Sequence, residues 1–172
     1  MDNLAISVRS ATPADAVALA ELVNRAFLVE RTFVDGDRTD PDEIAALTRR
    51  GAFLVLEHAH GLAAAIYLEP RGTAAYIGML SVDPELQGMG LGTRLVRIAE
   101  ALAEAQGIKQ LTLRIVNLRE ELVRWYRRLG YRQVGTSPFP DAGVKQPCHF
   151  IEMNKRIGAE PGAEWSAAAS LA

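Results

Sequence analysis

Gln87-Gly88-Met89-Gly90-Leu91-Gly92-Thr93 sets three glycines at alternate positions directly ahead of an amphipathic run, and this is where the chain could grip an anion. Glycine lets the backbone approach a ligand with no Cβ in between. The first amides of a following helix lack intrahelical partners and stand at the positive end of its dipole, which suits a phosphate or pyrophosphate. No lysine precedes Thr93, so the loop lacks the cation that G-x-x-x-x-G-K-[ST] loops set against nucleotide phosphates. The third glycine of G-x-G-x-x-G is also missing, and the next strand ends at Asn117 where an acidic ribose ligand would be wanted. A phosphorylated cofactor of another kind is expected.

Other reactive side chains carry less. Cys148 and His149 are adjacent on an expected strand and so point to opposite faces, which argues against a nucleophile–base pair. His58 and His60 could share a face, but no third metal ligand stands out and a turn at Gly61 accounts for them, so no metal is expected. Arg124, Arg127, Arg128 and Arg132 crowd one helix end, where cations suit the dipole. Tyr126 lies on the apolar face formed with Leu122, Trp125 and Leu129, and its phenol can serve as a core side chain or as a proton donor.

The elements that would position these groups follow from periodicity and punctuation. Residues 5–9 alternate as a short strand, and Thr12-Pro13-Ala14-Asp15 opens a helix to about Phe27. Residues 29–39 read as a loop. Asp40-Pro41-Asp42-Glu43 opens a second helix that Gly51 would cap. Residues 52–57 and 62–68 form a hairpin, and residues 74–82 continue the sheet. Leu91, Leu95, Ile98 and Leu102 mark the inner face of the helix after the glycine loop, with Arg94, Arg97, Glu100 and Glu104 opposite and Gly107 at its end. A strand over 111–116, the helix of Tyr126 capped by Gly130, and strands over 132–134 and 149–155 complete the chain, the last two joined by the loop 138–147.

Leu80-Ser81-Val82 ahead of the loop, Gln87, Gly90 and Gly92 within it, and Trp125-Tyr126 with Gly130-Tyr131 beyond it together resemble the GNAT superfamily of N-acetyltransferases, whose acyl-CoA loop reads Q/R-x-x-G-x-G/A at a helix start. The resemblance implies an α/β fold with a mixed, largely antiparallel sheet of roughly six to seven strands flanked by about four helices. That sheet would be splayed between its fourth and fifth strands, here residues 74–82 and 111–116. It implies acetyl-CoA as cosubstrate, bound by Leu80, Ser81 and Val82 on the fourth strand and by Gln87, Gly88, Met89, Gly90, Leu91, Gly92 and Thr93 in the loop. Tyr126 would stand beside the cofactor sulfur and give a proton to the departing thiolate; a phenol near pKa ~10 is a fitting acid for that task.

The chain departs from the family at two places. Where many members have asparagine and alanine seven and four residues before the tyrosine, it has Arg119 and Leu122, which leaves Asn117 or Arg119 to meet the cofactor. The frequent glutamate of the fourth strand is missing from residues 74–79, so a water-relayed base would be Glu30, Glu69 or His149. The implied reaction is acetyl transfer by direct attack of a primary amine on a small molecule or short peptide. Its acceptor would lie between residues 28–39 and 138–147. A non-catalytic acyl-CoA sensor of the same shape is the alternative.

Composition sets the bounds. A chain of 172 residues suits one domain, expected over 1–157, with a flexible tail over 158–172. With 19 basic and 21 acidic residues the net charge is −2, which gives no field to draw nucleic acid or an anionic membrane. No apolar run is long enough to span a bilayer, and the opening residues do not read as a signal peptide. The single cysteine agrees with a reducing, cytoplasmic setting. The expected partners are the amine acceptor and, at most, a second copy in a homodimer.

Overall fold

The computed structural model describes residues 5–140 and 142–158; most of the expected tail lies outside them. In chain order the elements are β1 (Ser7–Ser10), α1 (Ala16–Ala26), α2 (Pro41–Thr48), β2 (Ala52–His58), β3 (Gly61–Arg71), β4 (Ala74–Val82), α3 (Leu91–Ala105), β5 (Gln110–Val116), α4 (Glu120–Arg128), β6 (Arg132–Pro138) and β7 (His149–Arg156). The strands form one sheet in the order β1-β2-β3-β4-β5-β7-β6, antiparallel throughout except between β4 and β5. No described helix is long and apolar enough to cross a membrane.

Both faces of the β2–β4 half are covered, and this is why these strands read as nearly continuous apolar runs. Phe53 and Val55 pack with Leu19, Leu22 and Ile44 of α1 and α2, while their neighbours Leu54 and Leu56 pack on the other face with Leu95, Val96 and Ala99 of α3. Successive strand residues point to opposite sides, so one strand feeds two cores. The helix starts are built as their residues predict. Asp15 accepts the Thr12 amide at 2.7 Å, and Asp40 accepts the Glu43 amide at 2.9 Å.

Several local expectations differ from the fold. A 3-10 segment, Leu28–Thr32, continues the chain from α1 before the loop begins. β6 runs on to Pro138, since a proline without an amide donor is tolerated on the edge strand that it occupies. Glu100 does not stay on the solvated side of α3. It is buried, accepting from Lys155 at 2.8 Å and from the Tyr131 hydroxyl at 3.2 Å.

Gly51 does not act as a helix cap through a left-handed backbone. A Cβ there would fall 2.4 Å from the Leu68 carbonyl oxygen and 3.0 Å from the Glu69 Cα, so glycine is needed for the close approach of the chain to β3. Gly51→Ala is therefore expected to cost about 1–3 kcal/mol through displacement of the β3 backbone. Urea unfolding would show this as a lower midpoint with an unchanged slope; an unchanged midpoint would mean that β3 yields freely.

Candidate active site

β4 and β5 pair only from Ala74 to Tyr76, opposite Gln110 to Thr112, and then part. Beyond Tyr76 the β5-facing edge of β4 has no strand partner, so its amides and carbonyls can meet an extended ligand. The same stretch of β4 carries a bulge. Ala65 pairs with Ser81 and Tyr67 with Gly78, so Ile66 on β3 faces both Met79 and Leu80. Met79 takes φ 47°, in the left-handed region that a side chain rarely adopts. Its packing in the α1–α2 core and the bond from the buried Ser81 hydroxyl to the Met79 carbonyl at 3.0 Å hold that conformation.

The glycine loop leads straight from this strand to α3. Gly88 and Gly90 have φ of 80° and 78°, and a Cβ on either would meet nothing within 4 Å. The backbone here is thus both left-handed and bare on its outer side. The helix ladder begins with the Arg94 amide bonded to the Gly90 carbonyl at 3.0 Å, which leaves the amides of Leu91, Gly92 and Thr93 ahead of the first turn. The Gln87 side-chain amide donates to the Val82 carbonyl at 3.4 Å and ties the loop back to the strand. Such a cradle, at the start of a helix of 15 residues, fits the pyrophosphate of coenzyme A in charge and in clearance.

Tyr126 comes to the same opening from α4. α3 and α4 touch where the Trp125 ring lies against Gly92, and Tyr126 packs edge-on to Trp125 at 4.7 Å and to Tyr131 at 5.3 Å. The residue is 6% exposed, yet among the described residues its hydroxyl makes no hydrogen bond. Burial pushes this phenol well above its usual range, with nearby Tyr76 adding in the same direction. It therefore stays protonated and free to donate.

The three candidates for the base end in different places. Glu69 accepts from Tyr67 and Arg71 at 2.7 and 2.9 Å, which holds its carboxyl below the usual range. His149 sits at the exposed start of β7, its amide bonded to Asn117 Oδ1 at 2.8 Å, and the Asn117 amide returns to the His149 carbonyl at 2.9 Å. Asn117 thus clips β5 to β7 through its backbone amide and side-chain oxygen. Glu30 lies inside the cleft, paired with Arg119 at 3.0 Å, both side chains 15% exposed. Burial pushes its carboxyl up, against the opposing pull of Arg119. The Cys148 thiol is raised by burial and by Glu30, which places the carboxylate and the start of β7 close together.

The two segments expected to border the acceptor are joined. Val34 and Val144 form an isolated antiparallel bridge, with the Asp35 amide on the Gly143 carbonyl at 2.8 Å and the Lys145 amide on the Phe33 carbonyl at 2.9 Å. Lys145 also donates to the Arg31 carbonyl at 2.7 Å and pairs with Asp35. That ion pair is exposed and contributes little, so the backbone bridge does most of the fastening. Asp141 lies outside the described residues. His58 and His60 stack edge-on at 5.7 Å, and no cluster able to hold a metal ion occurs among the described residues.

Sequence reading missed Tyr76, Arg114 and Phe150. The Tyr76 ring covers Gly78, where a Cβ would fall 2.8 Å from it, and Arg114 stacks on both Tyr76 and Phe150. Their assembly depends on the β4–β5 and β5–β7 registers, which no local pattern encodes.

With this geometry in place, residues 17–131 match the sequence model of the acetyltransferase (GNAT) family. The chain belongs to that family. Members use acetyl-CoA. An amino-acid acetyltransferase of Ralstonia nicotianae is 33% identical over 118 residues, 66% of this chain and 25% of that protein, so the chain spans about a quarter of the length of this curated relative. The ribosomal-protein-S18-alanine N-acetyltransferase of Escherichia coli superposes with a TM-score of 0.75 at 19% identity, over 94% of this chain and 99% of the other. An acetyltransferase of Salmonella typhimurium, solved with its cofactor acetyl-CoA, gives 0.71 at 22% identity, over 92% and 97%. These structural likenesses speak to the fold, and the expected splayed GNAT sheet is the one observed.

Proposed function

We propose that this chain is an N-acetyltransferase that moves an acetyl group from acetyl-CoA to a primary amine of a small molecule or short peptide by direct attack. What supports the reading is three unsatisfied features on neighbouring elements: the α3 amides, the unpaired edge of β4, and the hydroxyl of buried Tyr126, which lies within the electrostatic reach of Tyr76 on β4. One acetyltransferase unit over 1–157 is part of the same proposal, as is a cytosolic setting, which the single cysteine supports.

When bound, acetyl-CoA supplies a thioester carbonyl open to attack by an amine. The amides of Gln87 to Thr93 would hold the pyrophosphate, and the β4 edge at Leu80, Ser81 and Val82 would align the pantetheine arm. Tyr126 Oη would give its proton to the departing sulfur. Glu30 would take the proton from the acceptor ammonium, directly or through one water, because it is the candidate carboxylate that faces the cleft and its burial raises its basicity.

The direct check is release of free thiol from acetyl-CoA across a panel of amines, with the acetylated amine identified by mass. Glu30→Gln should lower kcat/KM about tenfold or more and remove the acid limb that lies above the ordinary carboxylate range. The limb from the amine's own ionisation should remain. If both limbs survive in Glu30→Gln, the proton leaves by another route.

A further inference from the structure

The open face of the sheet carries a guanidinium, that of Arg114, to which no carboxylate is bonded among the described residues. Arg114 follows Thr112, the last β5 residue paired with β4, by two positions, so it stands on the same face where the strands part. Its guanidinium carbon lies 4.8 Å from the centre of the Phe150 ring and 5.9 Å from that of Tyr76. Phe150 in turn stacks on Phe139 at 4.8 Å, at the start of the loop that bridges to Val34. Arg114 is therefore on the floor of the cleft that this loop borders.

Its surroundings leave the charge unanswered. Glu152 is its cross-strand neighbour on β7, but the Glu152 carboxylate leans toward β6, 3.4 Å from where a Cβ on Gly135 would sit. Arg114 is exposed, and among the described residues it makes neither an ion pair nor a hydrogen bond. Other cations beside the cleft have carboxylates: Arg31 pairs with Asp37, Lys145 with Asp35, and Arg119 with both Glu30 and Glu121. Arg38 lies over Phe27 at 5.6 Å; among the described residues it makes no ion pair, and its charge acts on Glu30. Arg114 is thus an exposed cation of the cleft with no carboxylate bound to it among the described residues, although the residue types of the two border segments alone favour neither sign.

A guanidinium held over aromatic rings by cation–π attraction and bonded to no protein acceptor has its N–H groups available, and their fork matches a carboxylate in a two-pronged hydrogen bond. We propose that Arg114 holds a carboxylate of the acceptor, so that the acetylated amine belongs to an amino acid or a comparable small amino-carboxylate. This deepens the acetyl-transfer reading and rests on it. Tyr76 and Phe150 would flank the hydrocarbon between the two charged ends of such a molecule.

The test compares free L-amino acids with the matching L-amino-acid amides, for the parent, Arg114→Met and Arg114→Lys. Thiol release is followed in parallel with calorimetric binding to protein saturated with coenzyme A. In the parent, amino acids should exceed their amides in kcat/KM by about 10- to 100-fold. Arg114→Met should remove that preference, chiefly through KM, while leaving the amides within about twofold; Arg114→Lys should retain part of it. Because Arg114 is exposed, both variants should keep the parent's unfolding midpoint, which is measured alongside. Turnover in which amino acids and amides are equivalent, or in which Arg114→Met slows both alike, overturns the carboxylate site and leaves acetyl transfer standing. Carboxylate-dependent binding that Arg114→Met abolishes, with no turnover of any amine, upholds the site and overturns the transferase reading. Neither binding preference nor turnover overturns both.

Discussion

Tyr126→Phe is expected to lower kcat about tenfold or more while the Kd for acetyl-CoA stays within about twofold. The ring keeps its edge-on contacts with Trp125 and Tyr131, so the fold should hardly notice the change. Nor does the substitution strand a partner, because the hydroxyl makes no hydrogen bond among the described residues. A buried phenol with a purely structural role would normally have one. Loss of the hydroxyl therefore acts on whatever meets it during the reaction, and a donor to the leaving sulfur is needed mainly in the transition state. The pH profile gives a second reading of the same residue. Since burial pushes the phenol up, activity should not fall through the region near pH ~10 where an ordinary tyrosine loses its proton. Unchanged kcat, under conditions where the chemical step limits the rate, would return Tyr126 to the core.

Gly90→Val should raise the Kd for acetyl-CoA by about a hundredfold or more with little effect on the global fold. The position holds φ 78° at the start of α3, where a β-branched residue is strained by roughly 1–2 kcal/mol or more. Relief of that strain would rotate the loop amides away from the axis of the helix. Each charge-assisted hydrogen bond lost to a phosphate contributes about 1.5–3 kcal/mol, so losing two removes most of the grip on the pyrophosphate. Space inside the protein is not the obstacle, because a Cβ at Gly90 would touch nothing. A mere packing role for this glycine would show as lost stability with binding intact. Calorimetry together with thermal unfolding separates the two outcomes.

What could be read ahead of the structure depended on how local the determinant is. The glycine spacing, the helix starts at Thr12 and Asp40, and the Trp125-Tyr126 face each act within a turn or two of helix, so residue types alone expose them. The Met79 bulge leaves no such mark: methionine has no preference for a left-handed backbone, and the conformation is imposed by packing in the α1–α2 core and by Ser81. Glu100 occupies a polar register of α3 and is drawn inward by Lys155 on β7, a partner that no helical period reveals. Gly51 carries a cap signal and serves a different need, a passage beside β3 where a Cβ would fall 2.4 Å from the Leu68 carbonyl oxygen. Asn117 and Arg119 read as alternative contacts to the cofactor; the Asn117 side-chain oxygen accepts the β7 amide of His149, and Arg119 pairs with Glu30 and Glu121. The acceptor region was the hardest to anticipate. Lys145 reads as a candidate contact for substrate, yet it fastens one border loop to the other, while Arg114 reads as one polar position on a strand and becomes the exposed cation of the cleft.

A crystal structure of this chain with acetyl-CoA tests the central claim most directly. The pyrophosphate should lie on the amides of Gln87 to Thr93, the pantetheine arm along the unpaired edge of β4 beyond Tyr76, and the sulfur within hydrogen-bond distance of Tyr126 Oη. A cofactor bound elsewhere, or one whose sulfur points away from Tyr126 while the loop holds its phosphates, would contradict it.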